Sequence, residues 1–335
     1  MTPNSETPNS ETPTSETPTP ETATSGMSNS GVQPVLPTFL IIGAARSATT
    51  ALSGQLDQHP DVFITTPKEM HFFAHAGRPT TYNGPGDDEM MNRHIITEPN
   101  EYLDLYAAAG NTTARGEGSV STLYAPQHAP DAIKQWADPN VKLVAMLREP
   151  SARAHSSYLY LRSRGRELLQ TFAEGLAAEP DRIDRGFHHM WHYSAMSQYS
   201  EQLPTFVEAF GDRLLTVVFE EYRDDPATHL ASISEHIGID STFPFDATGS
   251  VNRGGAPRSE TFAKSLAALR TFEPISKVIK ATTPRSLRER VRQANLAKSD
   301  TEVEAPVLAE LYEKHEADRQ SVYDILGRTV DAWEK

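Results

Sequence analysis

Short apolar runs alternate with amphipathic helical patterns along the first two-thirds of the chain. The apolar runs predict strands at residues 39–42, 62–64, 141–147 and 214–219, and the less apolar stretch at residues 114–120 predicts a short strand or its exit loop. The helical patterns predict helices at residues 49–59, 102–109, 131–136, 151–164, 199–210 and 226–237. Strands that are almost wholly apolar and alternate with helices are typical of a parallel sheet covered on both faces. The pattern therefore predicts an α/β fold.

The two ends of the chain depart from this alternation. Residues 2–21 are a five-residue repeat, which reads TPNSE, TPNSE, TPTSE and TPTPE, and Ser, Asn and Gly remain frequent after it. So much proline with so few apolar side chains cannot build a packed core. We therefore predict a disordered tail over residues 1–38 and one folded domain over residues 39–335. From residue 260 onward the pattern is helical only, and these helices are expected to pack around the sheet.

Composition excludes several classes of function. The chain has 335 residues, a net charge of −14 and no cysteine. Without cysteine there are no disulfides, thiol nucleophiles, cysteine-bound zinc ions or iron–sulfur clusters. The negative charge disfavours a general nucleic-acid surface. No apolar run reaches the length of a membrane span, and Met1 opens a polar segment, so we expect a cytoplasmic protein. The oligomeric state stays open.

A strand, a turn of small residues and a helix start follow one another at residues 39–52, which read FLIIGAARSATTAL. Free amide groups and the positive end of a helix favour an anion at such a turn. Arg46 adds a forked positive charge, and Ser47, Thr49 and Thr50 add hydroxyl groups. The turn lacks the Gly-Lys pair of the ATP-binding Walker pattern. It therefore predicts a phosphate-binding loop of another kind, with a ligand-free turn as the alternative.

Two further polar segments leave the ends of predicted strands, at residues 67–73 and 148–158. In a doubly wound parallel sheet, ligands sit beyond the carboxyl ends of the strands, so these segments should share a crevice with the Arg46 loop. Arg148 would place a fixed charge in that crevice, and Ser156, two turns into the next helix, a hydroxyl group. An ion pair of Arg148 with Glu149 is the alternative.

Taken together, these segments resemble the sulfotransferases that use 3′-phosphoadenosine 5′-phosphosulfate (PAPS). LIIGAARSATTAL resembles their 5′-phosphosulfate loop, and MLREPSARAHSSY resembles their 3′-phosphate motif. KEMHFF resembles the acidic loop of the Golgi heparan-sulfate and tyrosylprotein branch and of its bacterial relatives. Three later segments, YSEQL, VVFEEYRDDP and NRGG, extend the likeness to about residue 258. Two departures stand out: Ala48 replaces a common glycine, and Gly118 replaces a lysine of the heparan-type version.

The resemblance implies a P-loop sulfotransferase fold, a central parallel sheet flanked by helices with a helical C-terminal region. It implies transfer of a sulfuryl group from PAPS to a hydroxyl of a small molecule or glycoside, with no metal required. In this scheme Arg46 stabilises the leaving phosphate and Glu69 is the base, with His71 as the rival base. The residues expected to bind the donor are Ser47, Ala48, Thr49, Thr50, Arg148, Ser156, Tyr199, Arg253 and Gly254.

Two other functions compete with this interpretation. A P-loop kinase or nucleotidase would share the fold but needs the missing Gly-Lys pair and a carboxylate for magnesium. A non-catalytic nucleotide-binding relative would keep the fold without the chemistry. The presence of Arg46, Glu69, Arg148 and Ser156 favours the enzyme.

Overall fold

Five strands, one at each predicted position, form a single sheet in the computed structural model, which describes residues 34–247, 256–257, 296–297 and 301–334. The strands are β1 (Phe39–Gly43), β2 (Val62–Ile64), β3 (Ala114–Gly118), β4 (Lys142–Leu147) and β5 (Leu214–Val218). Their order in the sheet is β2-β3-β1-β4-β5, and every neighbouring pair is parallel. All five strands therefore end at the same edge of the sheet.

Helices follow the strands and cover both faces of the sheet. The first six are α1 (Thr49–Leu56), α2 (Phe72–His75), α3 (Pro99–Asp104), α4 (Ala129–Trp136), α5 (Pro150–Ser163) and α6 (Phe172–Ala177). The next six are α7 (Glu179–Asp184), α8 (Tyr199–Phe210), α9 (Phe219–Asp224), α10 (Pro226–Ile237), α11 (Thr301–Lys314) and α12 (Glu316–Leu326). A π-helical turn covers Asp88–Asn92, and 3₁₀ turns cover Ala107–Ala109, His189–Trp191, Ala195–Ser197, Gly211–Arg213 and Asp331–Trp333.

Alternation along the central strands builds two separate cores. Side chains of β1 alternate between the faces because successive residues of a strand point to opposite sides. Leu40 and Ile42 join a core with Tyr102 of α3, Tyr106 just after it and the apolar side of α8. Phe39 and Ile41 join the other core, with α1 and α10. Both faces of β1 are thus fully buried, which explains why its sequence is an unbroken apolar run.

The ends of the described region pack on this framework. Val35 and Leu36, before β1, pack against the core that contains Leu40. At the other end, α12 packs against α8, and α11 packs against α5 and α6. The helical C-terminal region is therefore as predicted. Leu296–Ala297 differs, because it forms a two-residue antiparallel strand, β7, with β6 (Ala256–Pro257). Such a non-local pairing leaves no periodic signal in two residues.

Replacing Leu143 by alanine should destabilise the fold strongly. Leu143 lies on β4 and is fully buried, whereas Leu168, in a loop, is 69% exposed. We expect Leu143→Ala to lower the free energy of unfolding by about 2–5 kcal/mol, because it leaves a cavity in the core. Leu168→Ala, the same change at an exposed site, should cost less than about 0.5 kcal/mol. Urea denaturation measures both, and equal losses would contradict the assignment of β4 to the core.

Candidate functional site

The loop between β1 and α1 presents free backbone amides at the carboxyl edge of the sheet. Arg46 and Ala48 adopt left-handed conformations, with φ of 71° and 64°. Such a conformation costs about 1–2 kcal/mol at a non-glycine residue, so Ala48 keeps at some cost the shape that glycine would adopt freely. Within the described residues, nothing accepts a hydrogen bond from the amides of Ser47, Ala48, Thr49 and Thr50. The buried Ser47 hydroxyl likewise lacks a partner there.

Arg46, Arg148 and Ser156 come together beside this loop. The Arg46 Nε donates to the Ser156 Oγ at 3.4 Å, across from α5. The Arg148 Nη1 donates to the Arg46 carbonyl at 3.3 Å. The ring of Tyr160, also on α5, lies under the Arg46 guanidinium, with its centroid 4.4 Å away. Three residues predicted from two separate segments, residues 39–52 and 148–158, thus meet at one point of the crevice.

Both arginines are partly buried cations. Burial lowers the pKa of Arg46 to about 10 and lowers that of Arg148 as well, so both stay charged at neutral pH. Arg148 has a carboxylate nearby, since its Nε lies 4.0 Å from the Glu220 Oε1. Arg46 forms no ion pair with any carboxylate of the described residues. A buried charge without a partner is costly, so this arrangement favours an anionic ligand.

A carboxylate, Glu69, faces the same loop. Lys68 Nζ donates to Glu69 Oε1 at 3.0 Å and to Thr50 Oγ1 at 3.3 Å, so it joins the acidic segment to the phosphate-binding loop. Burial raises the pKa of Glu69, but the charge and the hydrogen bond of Lys68, with the charge of Arg46, bring the pKa below its ordinary value. With 35% of its side chain exposed, Glu69 is an ionised and accessible carboxylate at neutral pH.

His71, the rival base, is enclosed. Its side chain is buried, and its Nδ1 lies 2.8 Å from the Ser121 Oγ. Its backbone amide donates to Ser119 Oγ at 3.0 Å, and its ring packs against that of His189. Burial lowers the pKa of His71 to about 4. The ring is therefore neutral at physiological pH and already engaged by the protein.

Of the remaining predicted residues, the structure describes Tyr199. The Tyr199 hydroxyl, at the start of α8, donates to the Arg148 carbonyl at 3.0 Å and accepts from the Arg148 amide at 3.4 Å. Tyr199 therefore contacts the Arg148 backbone. Arg253 and Gly254 lie outside the described residues.

Sequence reasoning missed four residues of this site, namely Lys68, Glu117, Tyr160 and Glu220. Glu117 is the most unusual of them, because it is a carboxylic acid inside the buried strand β3. Burial raises its pKa to about 7, although Ser119 Oγ donates to it at 2.6 Å. An acidic residue within a predicted strand is a signal that could have identified Glu117. Lys68, Tyr160 and Glu220 join the site through contacts between residues far apart in the sequence, which no local pattern indicates.

Gly118 explains how Lys68 reaches the loop. A Cβ atom at position 118 would lie 3.1 Å from the Cε of Lys68 and 3.1 Å from the Ser53 Oγ. The glycine therefore leaves room for the Lys68 side chain.

A group of histidines near His71 is held by protein partners. His188 Nδ1 accepts from the Met190 amide at 3.0 Å, and its Nε2 lies 3.3 Å from the Asp87 Oδ1. His192 contacts the Tyr124 hydroxyl and a backbone carbonyl, each at 3.0 Å. Burial lowers the pKa of both histidines to about 4. In the described ranges, no set of three or more His, Asp or Glu side chains is arranged to hold a metal ion.

The parallel sheet and the cationic loop at its carboxyl edge define an α/β protein with a positively charged crevice at the ends of its strands. A sequence model of the Sulfotransferase family matches residues 37–243. The chain belongs to this family, and the predicted fold is confirmed.

Across the described ranges, no helix is long and apolar enough to cross a bilayer.

Known proteins resemble the chain over different lengths. Bifunctional heparan sulfate N-deacetylase/N-sulfotransferase 3 of Homo sapiens is 26% identical over 216 residues, which cover 61% of this chain and 22% of that protein. Carbohydrate sulfotransferase 15 of Homo sapiens is 28% identical over 162 residues, or 38% of this chain and 28% of that protein. The chain thus aligns with about a fifth to a quarter of these relatives.

A solved structure extends the likeness to the whole fold. The crystal structure of a sulfotransferase from Alicyclobacillus acidocaldarius is 27% identical, with a TM-score of 0.66. The similarity covers 90% of this chain and 100% of that one.

Glu117 should make stability depend on pH. Its pKa is about 7 in the folded protein against 4.5 in a free side chain, so the folded state holds the proton more tightly. This contribution to stability is fully present below about pH 4.5 and is lost as the pH rises to about 7. Relative to Glu117→Gln, which cannot ionise, the wild type should lose about 2–3 kcal/mol between about pH 5 and about pH 8.

Urea denaturation at the two pH values measures this difference. Glu208→Gln, at an exposed position of α8, is the matched control and should show no comparable change. A Glu117→Gln effect that is constant across the range would contradict a buried Glu117 that holds its proton.

Proposed function

We propose that this protein transfers a sulfuryl group from PAPS to a hydroxyl group of a small molecule or glycoside and releases 3′-phosphoadenosine 5′-phosphate (PAP). One observation carries the proposal: Arg46 has no carboxylate partner among the described residues and lies between Arg148 and an ionised Glu69. PAPS carries anionic groups at two positions of its ribose, which suits two separate cationic residues. Membership of the sulfotransferase family supports the same reaction.

The residues present fit such a donor. The free amides of the loop, with the hydroxyls of Ser47, Thr49 and Thr50, suit the 5′-phosphosulfate. Arg148 and Ser156 suit the 3′-phosphate, because guanidinium and hydroxyl groups are good donors to phosphate oxygens. Arg253 and Gly254 stay predictions for the closure of the site over the nucleotide. The metal-free scheme also stays a prediction, which rests on the cationic side chains taking up the charge.

The chemistry is an in-line displacement at sulfur. The acceptor oxygen forms a bond to sulfur while the bond from sulfur to the bridging phosphate oxygen breaks. Glu69 takes the hydroxyl proton, since it is ionised and accessible. Arg46 stabilises the negative charge that develops on the leaving 5′-phosphate, and Lys68, beside Thr50, adds a second positive charge. As in phosphoryl transfer, catalysis is mainly positioning and charge stabilisation.

We also propose the class of acceptor and the cellular compartment of the protein. The relatives named above carry heparan sulfate and carbohydrate in their names, which supports a sugar-like acceptor. We favour a small molecule or glycoside over a long polysaccharide because position 118 is glycine rather than lysine. We keep the cytoplasm as the proposed location because the chain has no cysteine.

The roles of Arg148 and Glu69 should separate in two assays. Arg148→Ala removes a charged donor to the 3′-phosphate, so the affinity for PAP in calorimetry should fall about 10- to 100-fold. Glu69→Gln removes only the base, so turnover should fall about 10²- to 10⁴-fold while PAP affinity stays within about twofold. Turnover is measured with radiolabelled PAPS and a panel of phenols and glycosides.

Controls and rivals are distinguished in the same experiment. Arg185→Ala and Glu208→Gln make the same changes at exposed positions and should leave both readouts unaltered. A preference for ADP over PAP would support the kinase or nucleotidase. Tight PAP binding with no turnover of any acceptor would support the non-catalytic relative. Full activity of Glu69→Gln would remove Glu69 as the base.

Lys68 should set the pH at which Glu69 becomes active. It is the largest influence that lowers the pKa of Glu69, so the acid limb of turnover should lie below pH 4.5 in the wild type. In Lys68→Met the pKa of Glu69 should rise, and the acid limb should move upward by about one pH unit or more. Lys134→Met, at an exposed position of α4, is the control. An unchanged profile in Lys68→Met would show that Glu69 does not limit turnover in acid.

A further inference from the structure

The C-terminal helices contact the residues that hold Arg148, although they lie beyond the region matched by the family. The first contact runs through Trp333, whose buried indole Nε1 donates to the Glu220 Oε2 at 2.7 Å. The other oxygen of Glu220 lies 4.0 Å from the Arg148 Nε and accepts from the Glu149 amide at 3.4 Å. One carboxylate thus joins the C-terminal segment to the guanidinium.

A second contact reaches the backbone of Arg148. The Asp318 Oδ1, on α12, accepts from the Ser200 amide at 2.9 Å and from the Ser200 Oγ at 2.7 Å. Ser200 follows Tyr199, whose hydroxyl is bonded to the Arg148 carbonyl and amide. The two contacts therefore act on different parts of one residue, its charged head and its main chain.

Burial makes both contacts effective. Trp333 is 1% exposed, Asp318 is 5% exposed and Tyr199 is fully buried, so water does not compete for these hydrogen bonds. The Arg148 Nε is itself buried and has no hydrogen-bond partner in the described ranges. The Arg148 Nη1 is held by the Arg46 carbonyl, and the side of the guanidinium that carries Nε is oriented by the neighbouring carboxylate of Glu220, which Trp333 holds in place.

His315 completes the second contact rather than forming a separate active site. Its Nδ1 lies 2.5 Å from the Asp318 Oδ2 and its Nε2 lies 3.0 Å from the Ser194 Oγ, the order of a hydrolytic triad. All three side chains are buried. The Ser194 amide and the amide after it both donate to Glu179, so no amide of this pair is left for an oxyanion. The cluster holds Asp318 in position.

We propose that Trp333 and Asp318 are positioning residues for Arg148, and that they set the preference of the protein for nucleotides with a 3′-phosphate. This inference rests on the proposed role of Arg148. Neither residue contacts the 5′-phosphate loop within the described structure, and the bond of Arg148 to that loop is to the Arg46 carbonyl rather than to a group that faces the 5′-phosphate. The loss should therefore fall mainly on the 3′-phosphate.

The ratio of two affinities tests the proposal. Calorimetry with PAP and with adenosine 5′-phosphate measures how much the 3′-phosphate adds to binding. Trp333→Phe keeps an aromatic ring, though a smaller one, and removes the N–H donor, and we expect it to reduce this ratio about 3- to 10-fold while the affinity for adenosine 5′-phosphate stays within about twofold. Asp318→Asn should reduce the ratio as well, through the contact with Ser200. This second variant tests the proposal if Trp333→Phe does not fold.

A matched control lies in the same segment. Tyr323→Phe removes a hydrogen bond from its hydroxyl to Glu334 Oε1, 2.8 Å long, and keeps the ring that packs near Trp333. It should leave the ratio unchanged. In an Arg148→Ala background, Trp333→Phe should reduce the ratio no further, because a positioning residue has no effect once its target is gone.

The other outcomes overturn the proposal in distinguishable ways. If folded Trp333→Phe and Asp318→Asn keep the wild-type ratio, or weaken both nucleotides equally, the two residues are merely structural. If Arg148→Ala itself keeps the ratio, the proposed role of Arg148 is wrong and the inference falls with it.

Discussion

The structure depends on one electrostatic constraint, two partly buried guanidinium groups beside a loop of free amides. Arg46 and Arg148 approach each other through the Arg46 carbonyl, and both remain charged at neutral pH. Glu220 lies near Arg148, but Arg46 has no carboxylate partner among the described residues, and such a buried charge destabilises a folded protein unless an anion joins it. The left-handed conformations of Arg46 and Ala48 add to this cost. A site that is costly when empty favours an anionic ligand.

Sheet topology brings these groups together. The strands β1, β4 and β5 are neighbours and parallel, so the residues after each of them emerge at one edge. Arg46 follows β1, Arg148 follows β4 and Glu220 follows β5. The acidic segment with Glu69 enters from β2 on the other side of β1. The same geometry lets the C-terminal helices reach the site, because Glu220 faces both Arg148 and Trp333.

The sequence by itself determined the five strands, most of the helices and the segments of the site. Unbroken apolar runs such as those at β1 and β4 have few alternatives to a buried parallel strand. A small-residue turn followed by Arg46 and hydroxyl residues indicates an anion site because that chemistry is local. For the same reason α8 and α10 were predicted at their observed bounds, since proline, glycine and helical periodicity act within a few residues.

Only the tertiary structure decided which side chains meet. Lys68 reaches Thr50 because residue 118 has no side chain in its way, and the acidic Glu117 holds its proton because the fold buries it. The contacts of Trp333 and Asp318 join residues more than a hundred positions apart. Such contacts leave no periodic pattern, because they depend on the path of the whole chain. Local physics therefore predicted the binding segments, and long-range packing determined their geometry.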